Sequence, residues 1–80
     1  MPHFFINFQT VDWLDKDEAG VNLPNLEEAR TAALVSAREI LADNVKGGAK
    51  NPLQFVIITN ESGQELMRIS AKDVLPERLK

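Results

Sequence analysis

The sequence predicts an α+β fold in which one helix packs on one face of a four-stranded antiparallel sheet. Residues 23–48 carry the start signal, the apolar stripe and the stop signal of a single long helix. Two strand-like segments precede that helix and two follow it, and the first and third of them are apolar on both faces. A right-handed crossover from the second strand through the helix to the third straddles the first strand. The predicted spatial order of the strands is therefore 2-1-3-4.

The two strands before the helix differ in character. In residues 3–10, Phe4, Ile6 and Phe8 alternate onto one face while Phe5 lies on the reverse, which is typical of a central strand. Residues 19–23 alternate weakly, and Gly20 within them indicates a bulge or a close backbone approach. These residues predict a short edge strand. The polar, acidic residues 11–18 between the two strands are typical of a loop.

The helix has clear signals at both ends. Asn25 is a good N-cap, and Glu28 three residues later completes a capping-box-like pair. Gly47 and Gly48 predict a left-handed end. At 100° per residue, one side of the helix gathers an apolar stripe with small residues at its centre, and Leu34 and Val45 lie at its edge. The stripe consists of Leu26, Ala29, Ala33, Ala37, Ile40 and Leu41.

The segments after the helix predict a hairpin and a short end. Residues 53–59 are β-branched and apolar on both faces, as expected of a central strand. Residues 60–64 form a turn in which Gly63 takes a positive φ, and residues 65–70 return as the last strand. We expect residues 71–75 to form one helical turn and residues 76–80 to be a short disordered tail.

Length and composition limit the chain to one small domain. Its 80 residues leave no room for a second core, and it has no cysteine for a disulfide or a thiolate metal site. The net charge of -3 disfavours nucleic acid and anionic membranes, which both require concentrated positive charge. No apolar run approaches the roughly 20 residues that span a bilayer, and the N-terminus has no secretory signal pattern. We therefore expect a cytoplasmic bacterial protein whose partners are neither nucleic acid nor membrane.

Three segments carry a resemblance to a known family: MPHFF at residues 1–5, DEAGVNLPNLEEAR at residues 17–30 and NESGQEL at residues 60–66. Together they resemble a family of short bacterial proteins, of about this length, known as a domain of unknown function. The resemblance extends over nearly the whole chain and implies no catalytic residue. The strand-to-helix junction is also similar to that of HicB-type antitoxins, an analogy limited to a small α+β domain.

The loop of residues 11–18 holds the best candidates for metal chemistry. Asp15, Asp17 and Gly20 are spaced like the start of a calcium loop, whose oxygen ligands come at alternate positions. However, Ala19 and Leu26 stand where a third ligand and a bidentate glutamate are required, so a solvated acidic loop is the better interpretation. No cofactor is expected. The weak metal candidates are Asp15, Asp17 and Glu18, with Asp12 beside them.

We expect a non-catalytic homodimer, because a single helix covers only one face of the sheet. On the other face Phe5 lies either with Val56 and Ile58 or with Phe55 and Ile57, since that strand is apolar on both sides. An enzyme is not expected, because one helix and 80 residues leave little concave volume for a pocket. The predicted interface residues are Phe5, Trp13, Val56 and Ile58.

Two alternatives remain open at this point. One is an antitoxin-like or regulatory protein that binds a basic protein partner through the acidic loop and the start of the helix. The other is a weak divalent-metal binder that uses the carboxylates of the loop. Trp13 is also ambiguous, since a tryptophan in a polar loop either packs on the sheet edge, which we favour, or meets a partner.

Overall fold

The computed structural model describes residues 1–47 and 52–74. Within them lie five strands, one long helix and a final 3-10 turn at Ala71–Asp73. All strand pairs are antiparallel, which confirms the predicted α+β class with one helix and an antiparallel sheet. The elements in chain order are β1 His3–Gln9, β2 Leu14–Asp15, β3 Val21–Asn22, α1 Leu26–Gly47, β4 Phe55–Thr59 and β5 Glu65–Ser70.

The strand order differs from the predicted 2-1-3-4. The observed order is β2-β1-β4-β5, and β3 is also hydrogen-bonded to β1. The difference arises at β2, which lies in the residues predicted to be a loop. The Thr10 N–H donates to the Trp13 carbonyl at 2.9 Å and turns the chain back, so that Leu14 pairs with Gln9. Two residues are too few to show an alternating pattern, which is why the sequence conceals this strand.

The helix begins as the sequence predicts. The Glu28 N–H donates to Asn25 Oδ1 at 2.9 Å, which confirms the N-cap. Ala29, Ala33 and Ala37 are fully buried, and the larger side chains of the stripe pack around them. Of the two glycines predicted to form a left-handed end, Gly47 is instead the last helical residue. Gly48 lies outside the described residues, as does the predicted tail 76–80. No helix within residues 1–47 and 52–74 is long and apolar enough to cross a membrane.

The core lies between α1 and one face of the sheet. Phe4 of β1 and Ile69 of β5 are buried there, on either side of Val56 and Ile58 of β4, whose side chains are fully buried. This placement corrects the predicted interface role of Val56 and Ile58, because both pack beneath the helix. Because successive side chains of a strand alternate between its faces, Phe55 and Ile57 lie on the opposite face with Phe5. This was the second of the two arrangements that the sequence allowed.

The turn between β4 and β5 is a tight loop built around one side chain. Asn60 Oδ1 accepts hydrogen bonds from the N–H groups of Ser62 and Gln64 at 3.1 and 2.9 Å. Gly63 has a φ of 85°, which confirms the predicted positive value. The pairing then shifts by one residue between Ile58 and Thr59, and this bulge brings Glu65 and Arg68 within reach of each other.

Candidate functional site on the helix-free face

The candidate site is the face of the sheet opposite α1, which we call the helix-free face. It holds a shallow depression of about 480 Å³. Phe55 completes the face, since it pairs with Gln9 and lies beneath Arg68. The side chains that define the face are Phe5, Asn7, Gln9, Leu14, Phe55, Ile57, Thr59, Glu65 and Arg68.

Asn7 is the polar centre of this face. Its side chain is only 6% exposed, so each of its polar atoms needs a hydrogen-bond partner. Nδ2 donates to the Ile57 carbonyl at 3.2 Å and to Thr59 Oγ1 at 3.4 Å. Oδ1 accepts the Asp17 N–H at 2.9 Å. Asn7 therefore joins β1 to β4 on one side and to the edge segment on the other.

Asp17 fills a gap in the edge of the sheet. Phe8 lies opposite Asp15 and His3 opposite Asn22, so residues 16–21 on the edge face only residues 4–7 of β1. The two additional residues interrupt the backbone pairing of the edge with β1 over the stretch that connects β2 to β3. The carboxylate of Asp17 restores it, because Oδ2 accepts the Ile6 N–H at 3.2 Å and Oδ1 accepts the Gly20 N–H at 3.0 Å. This carboxylate acts as a structural acceptor in the sheet.

His3 fastens β3 to the N-terminal end of β1. Nε2 donates to the Ala19 carbonyl at 2.9 Å, and Nδ1 is hydrogen-bonded to Asn22 Oδ1. A Cβ at Gly20 would lie 2.4 Å from Nε2, and Gly20 has a φ of 73°, which confirms the predicted close approach. The ring also meets Phe5 edge to face, with centroids 5.0 Å apart.

These contacts predict a pH-dependent stability. The hydrogen bonds to Asn22 and then to Ala19 raise the pKa of His3 above its usual 6.5, and the charges of Glu61 and Asp17 act in the same direction. Because the folded pKa exceeds the unfolded one, we expect His3 to stabilise the fold fully below pH 6.5 and to lose this effect as the pH rises through the folded pKa.

The measurement is the difference in free energy of unfolding between the natural chain and a His3→Gln variant, taken across that pH range. His3 is the sole histidine, so its titration by NMR is unambiguous. A difference that stays constant with pH would contradict the expected linkage. A titration midpoint below 6.5 would contradict it as well.

Arg68 covers the aromatic part of the face. Its guanidinium carbon lies 5.2 Å from the centroid of the Phe55 ring, within the range of a cation–π contact. Its Nη2 and Nε donate to the two carboxylate oxygens of Glu65 at 3.0 and 3.3 Å. These hydrogen bonds lower the pKa of Glu65 below its usual value. The pair is half exposed, so it orients Arg68 over Phe55 more than it stabilises the fold.

The other predicted site residues lie apart from this network. Asp12, Asp15 and Glu18 are exposed to solvent, unlike the engaged Asp17. Within residues 1–47 and 52–74, no group of three or more His, Cys, Asp or Glu side chains is placed to hold a metal ion. Trp13 is 60% exposed, so the favoured prediction that it packs on the sheet edge is wrong.

Sequence reasoning missed Asn7 and Arg68 as organising residues of the face. Asn7 did leave a signal, because an amide between Ile6 and Phe8 in a predicted central strand needs hydrogen-bond partners from its neighbours. Arg68 left none, since its contact with Glu65 depends on the bulge in β5.

Comparison with known proteins identifies the family of the chain. The family model described as a domain of unknown function, DUF6894, matches residues 3–72. The matched region contains every strand and all of α1. No curated protein and no solved structure matches the chain, so the analogy with HicB-type antitoxin domains has no support. The chain belongs to the family of the DUF6894 domain, as the resemblance of its three segments indicates.

Proposed function

We propose that this chain is a non-catalytic interaction module that forms a homodimer through the helix-free face. One observation carries the proposal. Phe5, Leu14 and Phe55 keep part of their apolar surface on a sheet face that no helix or strand of residues 1–47 and 52–74 covers, around Ile57, which its neighbours leave only 7% exposed. Leu14 is 41% exposed at the border of this face. Burial of such apolar area is the main driving force of association.

The polar groups of this face suit burial against a second copy. The Asn7 amide already has its partners within the chain, and Glu65 neutralises Arg68. A partner surface that covers these groups therefore leaves few hydrogen-bond donors or acceptors unsatisfied. Each unsatisfied buried group would cost about 1–3 kcal/mol. The remaining charges are of both signs, with Lys16 and Glu61 also at the depression. Mixed charges allow opposite signs to meet across a two-fold axis.

The shape of the molecule favours a face-to-face contact. The fold is a slab of 37 × 27 × 16 Å, so its two broad faces are its largest surfaces. A domain this small buries only about 60–65% of its unfolded surface, so a dimer adds stability that the single core lacks.

The engagement of the polar side chains supports a non-catalytic role. The side chains best suited to acid–base chemistry on this side of the sheet, Asp17 and His3, are held in hydrogen bonds that join strands. Asp17 accepts two backbone N–H groups, and His3 uses both ring nitrogens. A general acid or base has to reach a substrate proton, and side chains that hold strands together by hydrogen bonds are poorly placed for that.

The experiment measures molar mass by light scattering for two matched variants. Leu14→Lys places a charge on the helix-free face, and Val35→Lys places one on the outer surface of α1, where Val35 is 50% exposed. We expect the natural chain and Val35→Lys to give about twice 8.9 kDa, and Leu14→Lys to shift towards 8.9 kDa. A natural chain that remains at 8.9 kDa at high concentration rules out the homodimer. Equal dissociation by both variants rules out this face.

A further inference from the structure

The hairpin tip, residues Val11, Asp12 and Trp13, is a second apolar surface separate from the helix-free face. Val11 is 62% exposed and Trp13 60% exposed. Neither side chain lines the depression between β1 and β4. Tryptophan is strongly enriched among the residues that dominate binding energy, so an exposed tryptophan two residues from an exposed valine points to an interface.

The tip is ordered by hydrogen bonds between Thr10 and Trp13. The Thr10 N–H donates to the Trp13 carbonyl at 2.9 Å, and the Thr10 hydroxyl donates to the same oxygen at 3.3 Å. The Trp13 N–H in turn donates to Thr10 Oγ1 at 3.3 Å. Since the turn is already ordered, a partner has to immobilise little beyond the side chains, which lowers the entropic cost of binding.

The charge around the tip specifies the partner. Asp12 and Asp15 are exposed on either side of Trp13 in the sequence, and Lys16 is the single lysine or arginine before Arg30. Two such acidic tips repel each other, so a second copy does not suit this surface. Lysine or arginine side chains around an apolar pocket complement it.

We propose that the hairpin tip is the anchor for a different protein, one that receives Trp13 in an apolar pocket rimmed by lysine or arginine. The apolar contact supplies the affinity, and the carboxylates supply orientation and the rate of encounter. This surface is distinct from the homodimer interface, because Val11 and Trp13 do not line the depression of the helix-free face, whereas Leu14 beside Trp13 does.

The first step of the test locates the contact. A photo-cross-linking amino acid replaces Trp13 in one form of the full chain and Val35 in another, and each is irradiated in a lysate of the host cells. We expect a discrete adduct from position 13 and none from position 35. Adducts equal at both positions, no adduct at position 13, or an adduct between two copies of this chain each overturn the proposal.

The second step tests the chemistry, because capture alone does not support the proposal. The cross-linked protein is identified by mass spectrometry, purified and titrated into the natural chain. Trp13 is the sole tryptophan, so a blue shift of its emission reports burial of the tip. We expect Trp13→Ala to weaken binding by about 30-fold or more, and Asp12→Asn with Asp15→Asn to weaken it and reduce its salt dependence.

A binding constant unchanged by either set of substitutions overturns the proposal. Trp13→Ala should leave the molar mass and the melting temperature close to those of the natural chain, since the ring is exposed. That control separates the two proposals. Loss of the homodimer with an intact tip contact refutes the proposed function alone, and the reverse refutes this inference alone.

Discussion

Ile58→Ala is expected to lower the free energy of unfolding by about 2–5 kcal/mol. Ile58 is the largest fully buried side chain in the described structure and lies in β4 between Ile6 of β1 and Met67 of β5. It packs in the same cluster as Ala29, Ala33 and Ala37 of α1. Because the alanines have no side-chain rotamers with which to fill a gap, the cavity left by the substitution collapses only in part. A small domain has little stability in reserve, so much of this variant should be unfolded at 25 °C.

The measurement is urea denaturation monitored by circular dichroism, with Ile58→Val as the matched control. The control removes one methyl group and should cost about 0.5–1.5 kcal/mol. If the two variants have the same midpoint, then Ile58 does not lie in the core between the helix and the sheet.

Asp17→Ala is expected to destabilise the fold by about 1–3 kcal/mol, whereas the same substitution at the neighbouring Glu18 should have almost no effect. Removal of the carboxylate takes the acceptor from the Ile6 and Gly20 N–H groups. The Ile6 N–H lies in a partly buried position, so water replaces the lost acceptor poorly. The edge of the sheet between β2 and β3 should then open.

Glu18→Ala provides the control, since Glu18 is exposed beside Asp17 and its loss should change stability by less than about 0.5 kcal/mol. Amide hydrogen exchange gives the local readout. We expect faster exchange at Ile6 and Gly20 in Asp17→Ala and unchanged exchange in Glu18→Ala. Equal stability of the two variants would show that Asp17 is merely part of a solvated acidic loop.

Features governed by local chemistry were predictable from the sequence. The helix start follows from Asn25, whose side chain satisfies a backbone N–H three residues later. The buried stripe follows from the spacing of the three alanines, and the turn between β4 and β5 follows from Gly63. Each of these signals depends on residues close together in the chain, so no knowledge of the tertiary fold is needed.

Features that depend on pairing between distant strands were not predictable. β4 is apolar on both faces, so its pattern alone does not decide whether Val56 and Ile58 or Phe55 and Ile57 face the helix. The register with β1 decides it, because Asn7 pairs with Ile57 and shares the helix-free face with it. The role of Asp17 likewise depends on the two additional residues in the edge, which appear only once β2 and β3 are both paired with β1.

The most direct test of the central claim is a paramagnetic NMR experiment on mixed copies of the chain. The sequence has no cysteine, so Glu61→Cys introduces a single site for a spin label beside the helix-free face. The Glu61→Cys chain, which carries the spin label but no ¹⁵N, is mixed with ¹⁵N-labelled natural chain. We predict line broadening at the amides of Gln9, Leu14 and Ile57 and none at Val35. Broadening confined to α1, or none at any amide, would contradict a homodimer formed through the helix-free face.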